Sequence, residues 1–386
     1  MNNFEFYCPT RVVFGKDSIA KLSQLIDKSK KVLITYGGGS IKKNGVYDQV
    51  KKALEGYNVL EFGGIEPNPK YETLMKAVQI VKKEGVDFLL AVGGGSTLDG
   101  TKFIAAASKY FGEKDAYDYF MVEQNPVTDA IPLADVITLP ATGSEMNNGA
   151  VISRISTDEK LAFQWEPLYP KFSIIDPQVT FSLPQKQTIN GIVDTFVHVM
   201  EQYCTYDVNS PLQDDWALGI LRTLIKEAPK VLEDPNDYDA RANIFWCATC
   251  GLNYWIAQGV PQDWATHMIG HELTAFYGID HGQSLAIIEP RLLRNQKVSK
   301  SKKLAKLARE VFGINEPVDL KAADIVIDHI EAFFNSLGMK TKLADYEINP
   351  DEAAEKIRDR FAKRGVALGE KGAINADVAY DIVKAS

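Results

Sequence analysis

The first 150 residues alternate short apolar runs with glycine-rich turns and helical stretches. The runs at Lys31–Tyr36 and Phe88–Val92 contain few polar positions, which is typical of strands buried on both faces. Further strands are predicted at Arg11–Phe14, Asn58–Phe62 and about Val136–Leu139. Between these runs the apolar positions follow a helical period, as in the helix predicted over about Tyr71–Lys83. This alternation predicts a Rossmann-like parallel sheet with helices on both faces.

The pattern changes beyond about Leu183, where strand-like runs disappear. Helical periodicity then dominates, over about Trp216–Ala228, Tyr238–Gln258, Lys302–Phe312 and Leu320–Leu337. Prolines at 170, 177 and 184 mark the change. We therefore predict a dinucleotide-binding α/β N-terminal domain, residues 1–183, and an all-α C-terminal domain, residues 184–386.

Composition excludes several classes of protein. With 386 residues, 45% apolar positions and 24% charged positions, the chain is long enough for two globular domains. A net charge of −8 argues against nucleic acid and anionic membrane surfaces as partners. The chain has no apolar run of membrane-spanning length, and its first residues lack the features of a signal peptide, so a cytoplasmic location is expected. Its four cysteines do not suggest a disulfide framework, and Cys247 and Cys250 are interpreted as core residues of a helix.

Four of the five histidines lie between residues 190 and 282. Asp194 and His198 are four apart, as are His267 and His271, so each pair lies on one helical face. With His281, these side chains predict a site for one divalent metal, Fe²⁺ or Zn²⁺, and the absence of a thiolate argues against a structural zinc knuckle. The alternative is that the histidines are scattered. The spacing leaves open which of the three later histidines is not a ligand.

The turn Gly93-Gly94-Gly95-Ser96 follows a predicted strand and precedes a helix. Without Cβ atoms, its backbone N–H groups can approach a pyrophosphate closely, although a simple tight turn is the alternative. Similar loops at residues 37–40 and 140–145 also follow predicted strands. Ligands of parallel sheets bind at such carboxyl ends, so all three loops lie where a ligand is expected.

The loop at residues 37–40 contains no acidic side chain that would hold a ribose diol. Ser40, Lys42 and Lys43 are suited to a 2′-phosphate instead, so NADP(H) is predicted in preference to NAD(H). The alternative is that Glu61, at the end of a predicted strand, binds the ribose of NAD(H).

Three stretches resemble the iron-containing (group III) metal-dependent alcohol dehydrogenases. Residues 85–102 are similar to the cofactor motif of that family, residues 139–145 to its second nucleotide loop, and residues 259–282 to its metal signature. The loops at 37–40 and 62–69 resemble the branch of butanol dehydrogenases and NADPH-dependent aldehyde reductases. The resemblance covers nearly the whole chain.

The resemblance implies hydride transfer between NADP(H) and a primary alcohol or aldehyde such as butanol or butanal. It implies a homodimer, and it implies that His271 lies near the nicotinamide and substrate without being a ligand. The implied metal ligands are Asp194, His198, His267 and His281. The implied cofactor contacts are Gly38, Ser40, Asn68, Gly94, Gly95, Ser96, Asp99, Thr138, Thr142, Asn147 and Lys160. Gly282, after the last ligand, departs from the pattern of the branch and is expected to affect the surroundings of the metal only.

Other enzymes of this architecture are the alternatives. A lyase similar to dehydroquinate synthase would need a basic site for an anionic substrate, and no lysine or arginine cluster lies beside the metal motif. An enzyme similar to glycerol dehydrogenase is a second alternative. A non-catalytic binder would be favoured only if a metal ligand were missing, and all four are present.

Overall fold

The computed structural model describes all 386 residues, and the chain forms two compact units. The sheet unit comprises Tyr7–Pro184 and Asn236–Thr249, and the helical unit comprises Met1–Phe6, Gln185–Pro235 and Cys250–Ser386. The chain leaves the sheet unit one residue after the predicted limit at 183. Neither unit is one continuous segment, however, because each also contains a piece from elsewhere in the chain. Phe245, for example, packs in the apolar core of the sheet unit.

The sheet unit is built on a six-stranded parallel sheet. Its strands are β1 (Arg11–Phe14), β2 (Lys31–Tyr36), β3 (Asn58–Phe62), β4 (Phe88–Gly93), β5 (Leu133–Ile137) and β8 (Phe172–Ile175). Their spatial order is β1-β8-β5-β4-β2-β3, and every neighbouring pair is parallel. The central strands β2, β4 and β5 are therefore neighbours, and the loops that follow them lie at one edge of the sheet.

The near-continuous apolar runs are explained by burial of both faces of the sheet. Leu89 and Ala91 of β4 pack into one apolar core, whereas Phe88, Leu90 and Val92 pack into a second core on the opposite face. Successive side chains of a strand point to opposite faces, so a strand covered on both sides needs an apolar residue at every position.

Helices cover both faces of this sheet. They are α1 (Leu22–Leu25), α2 (Ser40–Lys43), α3 (Val46–Ala53), α4 (Tyr71–Glu84) and α5 (Gly95–Ser108). An antiparallel hairpin of β6 (Gly149–Arg154) and β7 (Glu159–Gln164) forms a second, two-stranded sheet. The hairpin and β8 were not predicted from the sequence, and β5 begins and ends before the predicted strand at about 136–139.

The helical unit contains no strand, which confirms the predicted all-α region. Its helices are α6 (Gln185–Tyr203), α7 (Pro211–Glu233), α9 (Ala265–Tyr277), α10 (His281–Asn295), α11 (Lys297–Glu310), α12 (Asp319–Ser336), α13 (Pro350–Arg364) and α14 (Ala376–Lys384), while α8 (Tyr238–Gly251) begins in the sheet unit. The helix predicted to reach Gln258 ends at Gly251. Positive φ angles at Tyr254, Gly259 and Trp264 are incompatible with its continuation. None of the helices combines the length and the apolar character that crossing a bilayer requires.

Candidate metal and cofactor sites

Helix α6 presents three acidic or imidazole side chains on one face. Asp194, His198 and Glu201 are spaced at i, i+4 and i+7, and each is about 4% exposed. This spacing returns to the same side of a helix at each turn. The face is therefore a buried column of one imidazole and two carboxylates.

Two other helices bring the remaining histidines to this column. His267 and His271 lie one turn apart on α9, and His281 is the first residue of α10. One ligand atom from each of Asp194, His267 and His281 lies within 4.8 Å of the other two. The ring of His198 stacks on that of His267 with centroids 4.5 Å apart. The structure thus brings the four predicted metal ligands into one cluster.

The distances from Asp194 to the three histidines are those expected between ligands of a single metal ion. The Nε2 atoms of His198, His267 and His281 each lie 3.5 Å from Oδ1 of Asp194. In a tetrahedral site with bonds of about 2.1 Å, neighbouring ligand atoms are about 3.4 Å apart. Nε2 of His267 is buried and makes no hydrogen bond. A buried nitrogen of this kind is costly unless it has a partner, so the donor set fits a divalent cation.

His271 lies beside this cluster. Its ring centroid is 5.2 Å from that of His281 and 6.3 Å from that of His267. The side chain is buried, at 6% exposure. The resemblance implies that His271 is not a metal ligand, and this assignment stays a prediction.

The first turn of α10 packs directly on α6. A Cβ atom at Gly282 would lie 2.8 Å from Cα and from the carbonyl oxygen of Asn190. The Asn190 amide donates to the Asp280 carboxylate at 2.9 Å, and Lys186 pairs with the same carboxylate. Asp280 and Gln283 also form a capping box at the start of α10. These contacts set the position of His281 relative to Asp194.

Sequence reasoning missed a second layer of polar residues behind the histidines. Oε2 of Glu201 contacts Nδ1 of His267, and Oε1 accepts from the backbone N–H of Thr266 at 2.6 Å. The Thr266 hydroxyl donates to Glu289 at 2.6 Å. Burial lowers the pKa of His267, but Glu201 and Asp194 outweigh this effect and raise it to about 9. Burial and the nearby charge of Glu201 raise the pKa of Glu289 to about 8. The i+7 spacing from Asp194 was the only local sign of Glu201.

The predicted cofactor loop is the turn between β4 and the fourteen-residue helix α5. Gly94 caps α5, and a Cβ atom at Gly95 would lie 2.5 Å from Oγ1 of Thr142. The N–H of Thr138 donates to the carbonyl of Gly93 at 2.9 Å. The loops after β4 and β5 therefore lie side by side, and the positive end of α5 points toward them.

Lys102 of α5 binds the loop at residues 140–145 and the segment that follows it. Its ammonium is fully buried and lies 2.8–3.1 Å from five oxygens of Ser144, Asn147 and Gly149. Asp99, one turn earlier, accepts from the Ser144 hydroxyl and from the N–H of Val151. Burial lowers the pKa of Lys102 to about 8, although the charge of Asp99 opposes this shift. Lys102 is a second residue that the sequence did not single out.

The other predicted cofactor residues lie on the same unit. Asn68 has a left-handed conformation, with φ of 53°, and its N–H donates to Oγ of Ser96 at 3.3 Å. Gly38 is exposed in the loop between β2 and α2, and Ser40 is the exposed first residue of α2. Lys160 of β7 is buried near Asp99, whose carboxylate its charge stabilises.

The surroundings of the loop at residues 37–40 bear on the choice of cofactor. Lys42 lies over the rings of Tyr36 and Tyr47, at 4.8 and 4.9 Å from their centroids. The Glu61 carboxylate accepts from the Tyr47 hydroxyl at 2.8 Å and pairs with Lys51 at 3.1 Å. The Glu61 carboxylate thus already interacts with the Tyr47 hydroxyl and the Lys51 ammonium, and Lys42 lies beside the loop.

Known proteins match the chain over almost its whole length. Residues 9–177 match the model of iron-containing alcohol dehydrogenase, and residues 188–385 match the C-terminal model of the Fe-containing alcohol dehydrogenase family. An NADPH-dependent aldehyde reductase of Escherichia coli K12 is 50% identical over 386 residues, with all of both chains covered. NADH-dependent butanol dehydrogenase A of Clostridium acetobutylicum is 37% identical, again with all of both chains covered.

Solved structures agree with these matches. The substrate- and cofactor-free form of the E. coli aldehyde reductase superimposes with a TM-score of 0.92 at 48% identity, covering all of both chains. NADH-dependent butanol dehydrogenase A of Thermotoga maritima gives a TM-score of 0.94 at 38% identity, covering all of this chain and 98% of that one.

Proposed function

Because the chain belongs to the iron-containing alcohol dehydrogenase family, we propose that it is a metal-dependent aldehyde reductase and alcohol dehydrogenase. It transfers hydride between NADP(H) and a small primary aldehyde or alcohol such as butanal or butanol. The observation that carries the proposal is the approach of three imidazole Nε2 atoms to one carboxylate oxygen of Asp194.

Different residues bind the metal, bind the nucleotide and transfer the proton. Asp194, His198, His267 and His281 hold one divalent ion, Fe²⁺ or Zn²⁺. When bound, such an ion supplies Lewis-acid chemistry to the substrate oxygen. The turn at Gly94–Ser96 and the start of α5 bind the pyrophosphate of the nucleotide through backbone N–H groups. His271 moves the proton of the substrate oxygen, since imidazole changes its protonation near neutral pH.

We propose NADP(H) as the preferred cofactor. The loop at residues 37–40 carries no acid, and Lys42 lies beside it. Glu61, the alternative ribose ligand, is already engaged by Tyr47 and Lys51. The relative at 50% identity is NADPH-dependent, whereas the butanol dehydrogenase at 37% identity is NADH-dependent. The kcat/KM ratio for the two cofactors tests this assignment, and a preference for NADH would overturn it.

An assay on metal-defined protein tests the activity. We expect butanal to oxidise NADPH, and we expect His267→Ala to lose both the metal and nearly all turnover. His329→Ala is the matched control, because His329 is exposed on α12 and bonds only to the carbonyl of Ile325. Wild-type protein that binds metal and NADPH but reduces no aldehyde in a panel of short aliphatic and aromatic substrates would contradict the proposal.

The proposal includes a homodimer in the cytoplasm. β1 lies at one edge of the sheet and pairs only with β8, so its outer edge offers backbone hydrogen-bonding groups to a second copy. Light scattering should give twice the monomer mass of 42.8 kDa.

A further inference from the structure

Glu201 occupies a position that the family's four-ligand description of the metal site does not include. It is buried on the same face of α6 as Asp194 and His198. Its Oε2 contacts Nδ1 of His267, on the side of the ring opposite the metal-facing Nε2. Glu201 therefore contacts the ring of a proposed ligand without pointing at the ion.

The identity of this acceptor decides where the proton of His267 resides. An ionised carboxylate only accepts hydrogen bonds, so in the neutral ring of His267 the proton lies on Nδ1 and the lone pair of Nε2 is available to a metal. We propose that Glu201 is a positioning residue that holds His267 in this tautomer and ring orientation, and so tightens metal binding. The inference rests on the proposed metal site, because it concerns how one of its ligands is presented.

Glu201 is itself held in place. Its Oε1 accepts from the N–H groups of Thr266, at 2.6 Å, and of His267, at 3.4 Å. Its backbone carbonyl accepts from the N–H of Asp263 at 2.9 Å. The carboxylate is thus fixed at both oxygens, and a fixed outer acceptor restricts the rotation of the ligating ring.

The variant Glu201→Gln tests this role with almost no change in shape. If the amide oxygen accepts from the N–H of Thr266, the amide NH₂ faces Nδ1 of His267. This contact favours the tautomer of His267 that is protonated on Nε2, and a protonated Nε2 cannot bind a metal. If the amide is rotated by 180°, its oxygen faces Nδ1 of His267 and its NH₂ faces the N–H of Thr266. Two donors then oppose each other without an acceptor. The first arrangement disfavours the metal-binding tautomer of His267, and the second keeps that tautomer only at the cost of the unfavourable contact with Thr266.

Metal affinity, measured by competition with a chromogenic chelator for zinc, is the first readout. We expect Glu201→Gln to weaken binding by about 10- to 100-fold. The matched control is Glu272→Gln. Glu272 is also a buried carboxylate, but it lies on α9 and pairs with Arg360 and Arg364 instead of a histidine. This variant should bind zinc as tightly as wild type. Equal affinity in Glu201→Gln and wild type would overturn the inference.

The second readout needs no variant and so does not depend on folding of the mutant. In zinc-loaded wild-type protein with ¹⁵N-labelled histidine, long-range ¹H–¹⁵N correlation should show His267 protonated on Nδ1 and bound through Nε2. Binding through Nδ1, or an Nδ1 without a proton, would overturn the inference while leaving the metal site intact. Wild-type protein that takes up no zinc would instead overturn the proposed metal site, and the inference with it.

Discussion

Gly282 shows how much one residue decides at the scale of single side chains. It follows His281 in the first turn of α10, and the backbone of Asn190 leaves no room for a Cβ atom there. Asn190 lies on α6, four residues before Asp194, so a shift at this contact moves one ligand relative to another. A glycine at position 282 is therefore a packing requirement of this chain.

Gly282→Ala should weaken metal binding and destabilise the helical unit. A Cβ atom 2.8 Å from backbone atoms forces α10 away from α6, and overpacking of this kind costs about 1–3 kcal/mol. Chelator competition measures the affinity, and urea unfolding measures the stability.

Gly219→Ala is the matched control for that substitution. Gly219 lies within α7, and a Cβ atom there would meet nothing within 4 Å. We expect it to stabilise the protein by about 0.5–1 kcal/mol, since alanine is the better helix former. Loss of metal affinity in both variants would show that the effect at Gly282 is not specific.

His271→Ala should separate proton transfer from metal binding. Loss of a general acid or base typically costs about 100- to 10,000-fold in rate, so we expect a large fall in kcat with unchanged metal content. His329→Ala, on the exposed face of α12, should leave kcat unchanged. Loss of metal from His271→Ala would instead make His271 a ligand.

At the scale of elements, α5 organises the cofactor end of the sheet unit. Its first turn faces the loops after β4 and β5, and Lys102 on its third turn holds Ser144, Asn147 and Gly149. The buried carbonyl groups of an irregular loop lack the hydrogen-bond partners that a helix or sheet would supply. A buried ammonium group that donates to several of these carbonyls provides the missing partners. The position of the loop that follows β5 thus depends on a side chain that need not touch a bound nucleotide.

Lys102→Met should destabilise the sheet unit and weaken NADPH binding. Methionine fills the space but leaves several buried oxygens without a donor, at a cost of about 1–3 kcal/mol. Denaturant unfolding and fluorescence titration with NADPH measure the two effects. Lys109→Met, at an exposed residue just after α5, should change neither quantity. An unchanged NADPH affinity in Lys102→Met would show that the loop holds its shape without the lysine.

At the scale of the whole molecule, the proposed metal site joins three helices of one unit. Its ligands come from α6, α9 and α10, which are separate in the unfolded chain. Metal that binds only the folded form therefore stabilises it, by about 2.7 kcal/mol when the free ion is at 100 times its Kd.

Removal of the metal with a chelator should lower the Tm of the wild-type protein. A stabilisation of that size corresponds to about 5 °C or more for a unit of this length. Differential scanning calorimetry of metal-loaded and metal-free protein measures the shift. The Tm of His267→Ala should not respond to the chelator. Identical Tm values for loaded and stripped wild type would contradict a site that binds the folded form.

Much of the fold follows from local pattern, and the exceptions have physical causes. β2 and β4 were predicted because both of their faces are buried, which leaves an unbroken apolar run. β6 and β7 were missed because both are only partly buried, so neither has the long unbroken apolar run that marks β2 and β4. β8 lies between Pro170 and Pro177, in the stretch where the prolines were interpreted as marking the change of domain. The helix predicted through Gln258 failed because left-handed residues end it, and that conformation depends on contacts beyond the helix.

The sequence by itself determined the types of donor at the proposed metal site, the helical spacing of Asp194 with His198 and of His267 with His271, and the glycine turn before α5. These features are local, so residue type and spacing are enough to predict them. Only the tertiary structure brought Glu201 against His267, Gly282 against Asn190 and Lys102 against the second loop. Each of these contacts joins residues far apart in the chain, and their geometry is set by how helices and strands pack, which no local pattern records.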